Sequence, residues 1–113
     1  MSDVVLCRLD TVPDGGARVL AVERRGAEER VVIVRRGEQA WAYVNRCPHF
    51  SVGLDFIPNQ VLTYEGAVMM CAHHSALFRF DDGVCIDGPC SGAGLEAVTV
   101  EVDSAAWVIC RGA

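Results

Sequence analysis

No apolar run in this chain of 113 residues approaches the roughly 20 residues that cross a bilayer as a helix. The first residues, Met-Ser-Asp-Val-Val, lack a basic region followed by an apolar core, so no secretory signal is read there. Both absences lead to the expectation of a soluble, cytoplasmic protein without a membrane role. Basic residues are outnumbered, 10 against 15 acidic ones, for a formal net charge of −5. A chain of that sign with no basic stripe would be repelled by a phosphate backbone, which excludes nucleic acid as its ligand. Arginines do gather at Arg24-Arg25 and Arg35-Arg36, but acidic residues flank both pairs, and they read as solvated charges at hairpin turns. Helical periodicity, internal repeats and linkers are all missing. Histidine is scarce: there are three, at positions 49, 73 and 74.

What is present is β pattern and punctuation. With 51% hydrophobic residues the chain can pack a real core, and its length reads as one domain over 1–113. Strands are expected at 4–9, 17–23, 30–35, 40–45, 61–64, 67–70, 77–80, 84–86, 95–102 and 106–110. Turns at Pro13-Asp14-Gly15-Gly16, Gly26, Gly37, Glu65-Gly66 and Asp81-Asp82-Gly83 separate them. That makes an all-β domain of roughly nine or ten short strands. Trp41 and Tyr43 share one strand face and read as core anchors, as does Met69, with Met70 on the opposite face. Cys7 and Cys110 lie in apolar strand patterns near the termini and read as small core hydrophobes. Glycines in the loop from Asp87 to Gly94 suggest close backbone approach; Gly92-x-Gly94 has no following helix and is not read as a phosphate loop.

The chemistry-bearing residues fall into two boxes, Cys47-Pro48-His49 and Cys71-Ala72-His73-His74. Each ends an apolar strand-like run and opens a turn-forming segment. Thiolates are soft, charge-donating ligands and imidazole is a neutral, borderline one, so two of each suit zinc or iron–sulfur iron and not calcium or magnesium. Zinc fingers normally segregate Cys and His between boxes, with a helix carrying the histidines. Here each box is mixed and its surroundings are strands. No Ser/His/Asp set is available, and no 2-His-1-carboxylate iron site, because every histidine lies in or beside a box.

In these boxes the chain resembles the Rieske [2Fe–2S] family, matching Cys47-x-His49 and Cys71-x-x-His74 to its two ligand motifs. Phe78, Gly83 and Gly88-Pro89 fall where that family has its aromatic, its hairpin glycine and its proline loop. The resemblance implies a Rieske-like fold of three small antiparallel sheets with two cluster-binding loops within about 46–94. It also implies a [2Fe–2S] cluster held by Cys47, His49, Cys71 and His74, one iron on the cysteines and the other on the histidines. His73 repeats the spacing of the first box, but the family pattern favours His74. Twenty-one residues, Phe50 to Met70, separate the boxes, several more than in compact members, so an insertion around Asp55 to Tyr64 is expected.

High-potential members of that family carry a serine and a tyrosine two and four residues after the second histidine, and a disulfide joining the cluster loops. Here Ala76 and Phe78 stand at those positions and neither box has a further cysteine. Rieske centres span roughly −150 to +300 mV, and the resemblance therefore implies the lower end. Ser75 occupies a position that is ordinarily glycine. Cys85 and Cys90 flank the proline loop and are expected as thiols packed beneath it, not as a disulfide. The expected function is one-electron transfer by a low-potential ferredoxin, from a flavin reductase to an oxygenase or similar enzyme, with no catalysis of its own. Two alternatives stay open: a fixed redox subunit or sensor of a larger complex, and a zinc-stabilised β module that only binds proteins.

Overall fold

The computed structural model describes residues 3–24, 26–48, 53–55, 57, 60–72, 75–88 and 92–111. The longest strand explains the architecture. Residues Val31, Val32, Ile33 and Val34 of β3 (Ala27–Arg36) are all fully buried, so this strand has a core on each face. Val31 and Ile33 point into one core, Val32 and Val34 into the other, as the period of two requires. β3 lies in a four-stranded antiparallel sheet between β2 (Ala17–Arg24) and β4 (Gln39–Val44), with β9 (Ala97–Val98) on the far edge of β4.

One face of this middle sheet meets a three-stranded sheet ordered β1 (Val4–Arg8), β11 (Trp107–Cys110), β10 (Val100–Val102). Between them lies an apolar core containing Cys7, Val22, Val98, Val108 and Cys110, so both terminal cysteines are the core hydrophobes expected. The other face meets a sheet ordered β5 (Leu62–Tyr64), β6 (Val68–Met70), β7 (Leu77–Arg79), β8 (Cys85–Asp87). Tyr43, with Trp41 packed at its margin, faces Met69, Phe78 and Phe80 there; Met69 is buried and Met70 only half-buried, on the opposite face. The three small antiparallel sheets expected from the sequence are therefore present.

Two expectations need correcting. The alternating run 95–102 is two strands, because β9 pairs with β4 and, after Thr99, β10 pairs with β11. Alternation reports which side chains face inward, and Val98 and Val100 both face the same core; it does not report which strand receives the backbone bonds. Arg24, expected as a solvated charge, is 6% exposed, with its Nη1 2.5 Å from Glu29 Oε1 across the β2–β3 hairpin. The hairpin is tighter than the charged sequence suggests: Arg24 pairs with Ala27, and Glu28 to Arg30 are already strand. Arg25 lies outside the described residues.

Candidate metal centre

Both cysteines of the two boxes come to one core. The first box leaves β4 through a short turn: Asn45 N–H donates to Arg30 O at 2.8 Å, and Arg46 N–H to Val44 O at 2.8 Å. Cys47 follows, with no exposed surface. The second box closes the hairpin between β6 and β7. Cys71 N–H donates to Ala76 O and Ser75 N–H to Cys71 O, both at 2.8 Å. Cys71 is likewise fully buried, and it shares its core with Cys47, Leu54, Met69, Ala76, Phe78 and Phe80. Ser75 has φ of +56°, the left-handed conformation that glycine adopts without a steric cost. That accounts for glycine being the ordinary residue there.

Gly88, just past β8, lies against Ala76 at the close of the second loop. Gly88 has φ of +104°, and a Cβ on it would stand 2.8 Å from the Ala76 Cα. The close approach expected of this glycine-rich segment is real at Gly88, whereas among the described residues nothing stands within 4 Å of a Cβ at Gly92. Cys85 is buried, and its thiol donates to Asp87 O at 3.2 Å. Its relation to Cys90 lies outside the described residues, as do His49, His73, His74 and Pro89.

Behind the cysteines the core is buried, and among the described residues no buried side-chain nitrogen or oxygen lacks a hydrogen-bond partner. The Tyr43 hydroxyl donates to Phe80 O at 2.6 Å. Burial, with the nearby Asp82 and Asp81 adding to it, pushes the phenol up to about 12. Gly83, with φ of +70°, turns the β7–β8 hairpin directly beneath that ring; a Cβ there would sit 2.6 Å from Tyr43 Cε1.

Residues not singled out in the sequence join the two boxes. Asn45 is 8% exposed; its Oδ1 accepts from Leu54 N–H at 2.8 Å, and its Nδ2 donates to Asp55 Oδ1 at 2.9 Å. Leu54 O then accepts from Ala72 N–H at 2.9 Å. The segment expected as an insertion, Asp55 to Tyr64, is held at its start by Asp55, and its far end supplies β5, an edge strand. The one available signal was an asparagine just beyond a strand and two residues before a candidate ligand.

The donor chemistry fits an iron–sulfur group. A lone thiolate in so apolar a setting would carry a heavy desolvation cost, which a bound metal centre offsets. Among the described residues no three His, Cys, Asp or Glu side chains gather as a metal site, so the described share of the donor set is these two sulfurs. Two buried thiols, brought into one core by separate loops of a three-sheet β domain, have the chemistry that a loop-borne thiolate metal centre requires. The chain belongs to the Rieske family: the model described as "Rieske [2Fe-2S] domain" matches residues 2–111. Such a domain binds a [2Fe–2S] cluster, so the protein is an iron–sulfur electron carrier.

Solved structures give the same fold. The ferredoxin of carbazole 1,9a-dioxygenase from Nocardioides aromaticivorans IC177 is 23% identical, with 97% of this chain and 98% of that chain covered and a TM-score of 0.75. A chain in a complex of reduced oxygenase and oxidized ferredoxin of carbazole 1,9a-dioxygenase is 24% identical, with 96% and 92% covered and a TM-score of 0.72. In another such complex, in the reduced state, 97% of this chain covers only 28% of a longer chain, at 19% identity and a TM-score of 0.78. No curated protein sequence matches the chain. Among the described residues no helix is long and apolar enough to cross a membrane.

Proposed function

We propose that this carrier is a free-standing Rieske ferredoxin of low potential, taking electrons from a flavin reductase and delivering them to an oxygenase. Cys47, His49, Cys71 and His74 are the proposed cluster ligands, presented by loops within about 46–94 of a single domain. The observation that carries this reading is the burial of Cys47 and Cys71 in one core, from two separate loops, in a chain of the Rieske family. Ferredoxin–oxygenase complexes among the similar structures support an oxygenase as the acceptor.

Bound to these ligands, the cluster supplies a one-electron couple. The chain's own residues hold it in place, keep water out and keep the path to a partner short. Leu54, Met69, Phe78 and Phe80 are fully buried around the two sulfurs and exclude solvent from them. Surface is nevertheless close along the chain: Pro48 follows Cys47 and is exposed, and Ser75, bonded to the Cys71 carbonyl, is exposed too. A protein seated on these loops therefore meets the inner ligands within one or a few residues. Ala76 and Phe78, both fully buried in the cysteine core, carry no hydroxyl that could donate to a sulfur. Such donation is what raises the potential of an iron–sulfur centre, and this supports a low value.

Absorption and EPR spectra of anaerobically purified protein test the cofactor: a red-brown solution with a rhombic signal after reduction is expected, and a colourless zinc protein overturns the proposal. An electrochemical midpoint well above zero would refute the low potential. Rapid mixing of the reduced protein with an oxygenase, and elution of the native protein as a small free species, test the carrier role. Co-elution within a larger fixed assembly would refute that role.

A further inference from the structure

We infer that the Asn45 side chain is a positioning residue that ties the two cluster loops together, with Asp55 as its partner. This rests on the proposal that Cys47 and Cys71 are ligands.

The chain of contacts is short and continuous. Asn45 sits two residues before Cys47, and Ala72 follows Cys71 directly. Between them runs one relay: Asn45 Oδ1 to Leu54 N–H at 2.8 Å, then Leu54 O to Ala72 N–H at 2.9 Å. Leu54 itself is fully buried in the core that holds both cysteines, so its peptide groups can find no water if the relay breaks. The amide orientation is set by chemistry, because a backbone donor faces one end and a carboxylate acceptor the other.

Asp55 holds the amide from the far side. Its side chain is 5% exposed, its Oδ1 takes the Asn45 amide, and its Oδ2 accepts from Arg30 Nη2 at 3.3 Å. Arg30 belongs to β3, and its carbonyl also receives the Asn45 N–H. Asn45 is thus anchored to the middle sheet by its backbone while its side chain holds the Leu54-Asp55 segment, which in turn bonds to the second loop at Ala72. Gly53 makes room for this. A Cβ there would lie 2.7 Å from Asp55 Oδ1 and 3.5 Å from Asn45 Nδ2, and its φ is not in the left-handed region. A side chain at 53 would therefore disturb the carboxylate–amide contact without straining the backbone.

The test uses three variants of the full holoprotein and two readouts. The first readout is the rate at which the visible absorbance bleaches under an iron chelator. The second is hydrogen exchange at the Leu54 and Ala72 amides. Asn45→Asp keeps an acceptor for Leu54 but sets two carboxylates against each other. It is expected to bleach about tenfold faster or more, as loss of a hydrogen bond to a charged group implies, and to lose protection at both amides. Gly53→Ala is expected to shift both readouts in the same direction. Asn45→Asp combined with Asp55→Asn restores one donor and one acceptor and is expected to recover most of the wild-type lifetime. A purely structural weakening would not be rescued by exchanging the two groups. Unchanged bleaching and protection in Asn45→Asp, or a double variant as labile as the single one, overturns the inference. Colourless wild-type protein that still loses Leu54 and Ala72 protection in Asn45→Asp would sink the cluster reading and leave the tie between the loops standing.

Discussion

Replacing Gly88 with alanine separates two penalties that glycine substitutions usually confound. Gly88 has φ of +104° and Gly92 has φ of +91°, so an L side chain at either is conformationally strained. That strain is on the order of 1–3 kcal/mol at each site. The sites differ in what the new methyl group meets. At Gly92 it meets nothing within 4 Å among the described residues; at Gly88 it stands 2.8 Å from Ala76 Cα, 3.1 Å from Ala76 Cβ and 3.3 Å from Ala76 N. Two of those three atoms are backbone, in the residue whose carbonyl accepts from Cys71 N–H, so no side-chain rotation relieves the contact. Overpacking of this kind adds roughly 1–3 kcal/mol. Gly88→Ala is therefore expected to cost about 2–6 kcal/mol and Gly92→Ala about 1–3 kcal/mol, read from urea midpoints at unchanged slope. Faster loss of visible absorbance should accompany the first and not the second. Equal costs would refute the argument that the 88 loop is seated on the second box.

Three other perturbations address different parts of the molecule. Burial pushes the Tyr43 phenol from its ordinary 10.0 up to about 12, so its neutral form is favoured by folding. That stability is present in full below about pH 10 and lost as the pH rises through 12, an amount of roughly 2–3 kcal/mol that Tyr43→Phe should not lose, measured by denaturant unfolding at neutral and alkaline pH. Cys71→Ser is expected to abolish the cluster spectrum, whereas Cys110→Ser, in the other core, should cost about 1–3 kcal/mol of stability and leave the spectrum intact. His74→Ala should likewise remove the spectrum and His73→Ala should leave it nearly intact; the reverse outcome would reassign the second box.

How much was readable in advance depended on whether a feature is local. The period-two pattern put Tyr43 and Met69 on their correct faces, because alternation is a property of a single strand. The two boxes were legible because thiol and imidazole are rare side chains with restricted chemistry. What escaped depends on partners distant in sequence. Thr99 ends one sheet pairing and begins another without any break in alternation, since both sheets bury the same side. Arg24 reads as a turn charge until Glu29 and Glu96 are seen beside it. Asn45 reads as a strand end until the loop at Leu54 folds back onto it. The potential's determinants were visible as identities at Ala76 and Phe78, but their full burial beside the cysteines was not.

The two cores divide labour in a way that bears on all of these effects. The core between the middle sheet and the terminal strands is built from β-branched residues and two cysteines outside the boxes. It needs no metal to account for its burial. The second core contains both box cysteines, and the described parts of the loops that close it are held by backbone and side-chain hydrogen bonds and by glycine contacts at 53 and 88. Because β3 and β4 contribute alternate residues to both, the first core fixes the strand from which the first box departs, whatever happens in the second. Losing the cluster should therefore loosen residues around 47–55 and 71–76 before the β2–β3–β4 ladder. Hydrogen exchange of holo and apo protein would show it as protection lost at Leu54 and Ala72 while Val31 and Ile33 stay closed. Simultaneous loss across both cores would mean that the middle sheet does not insulate them.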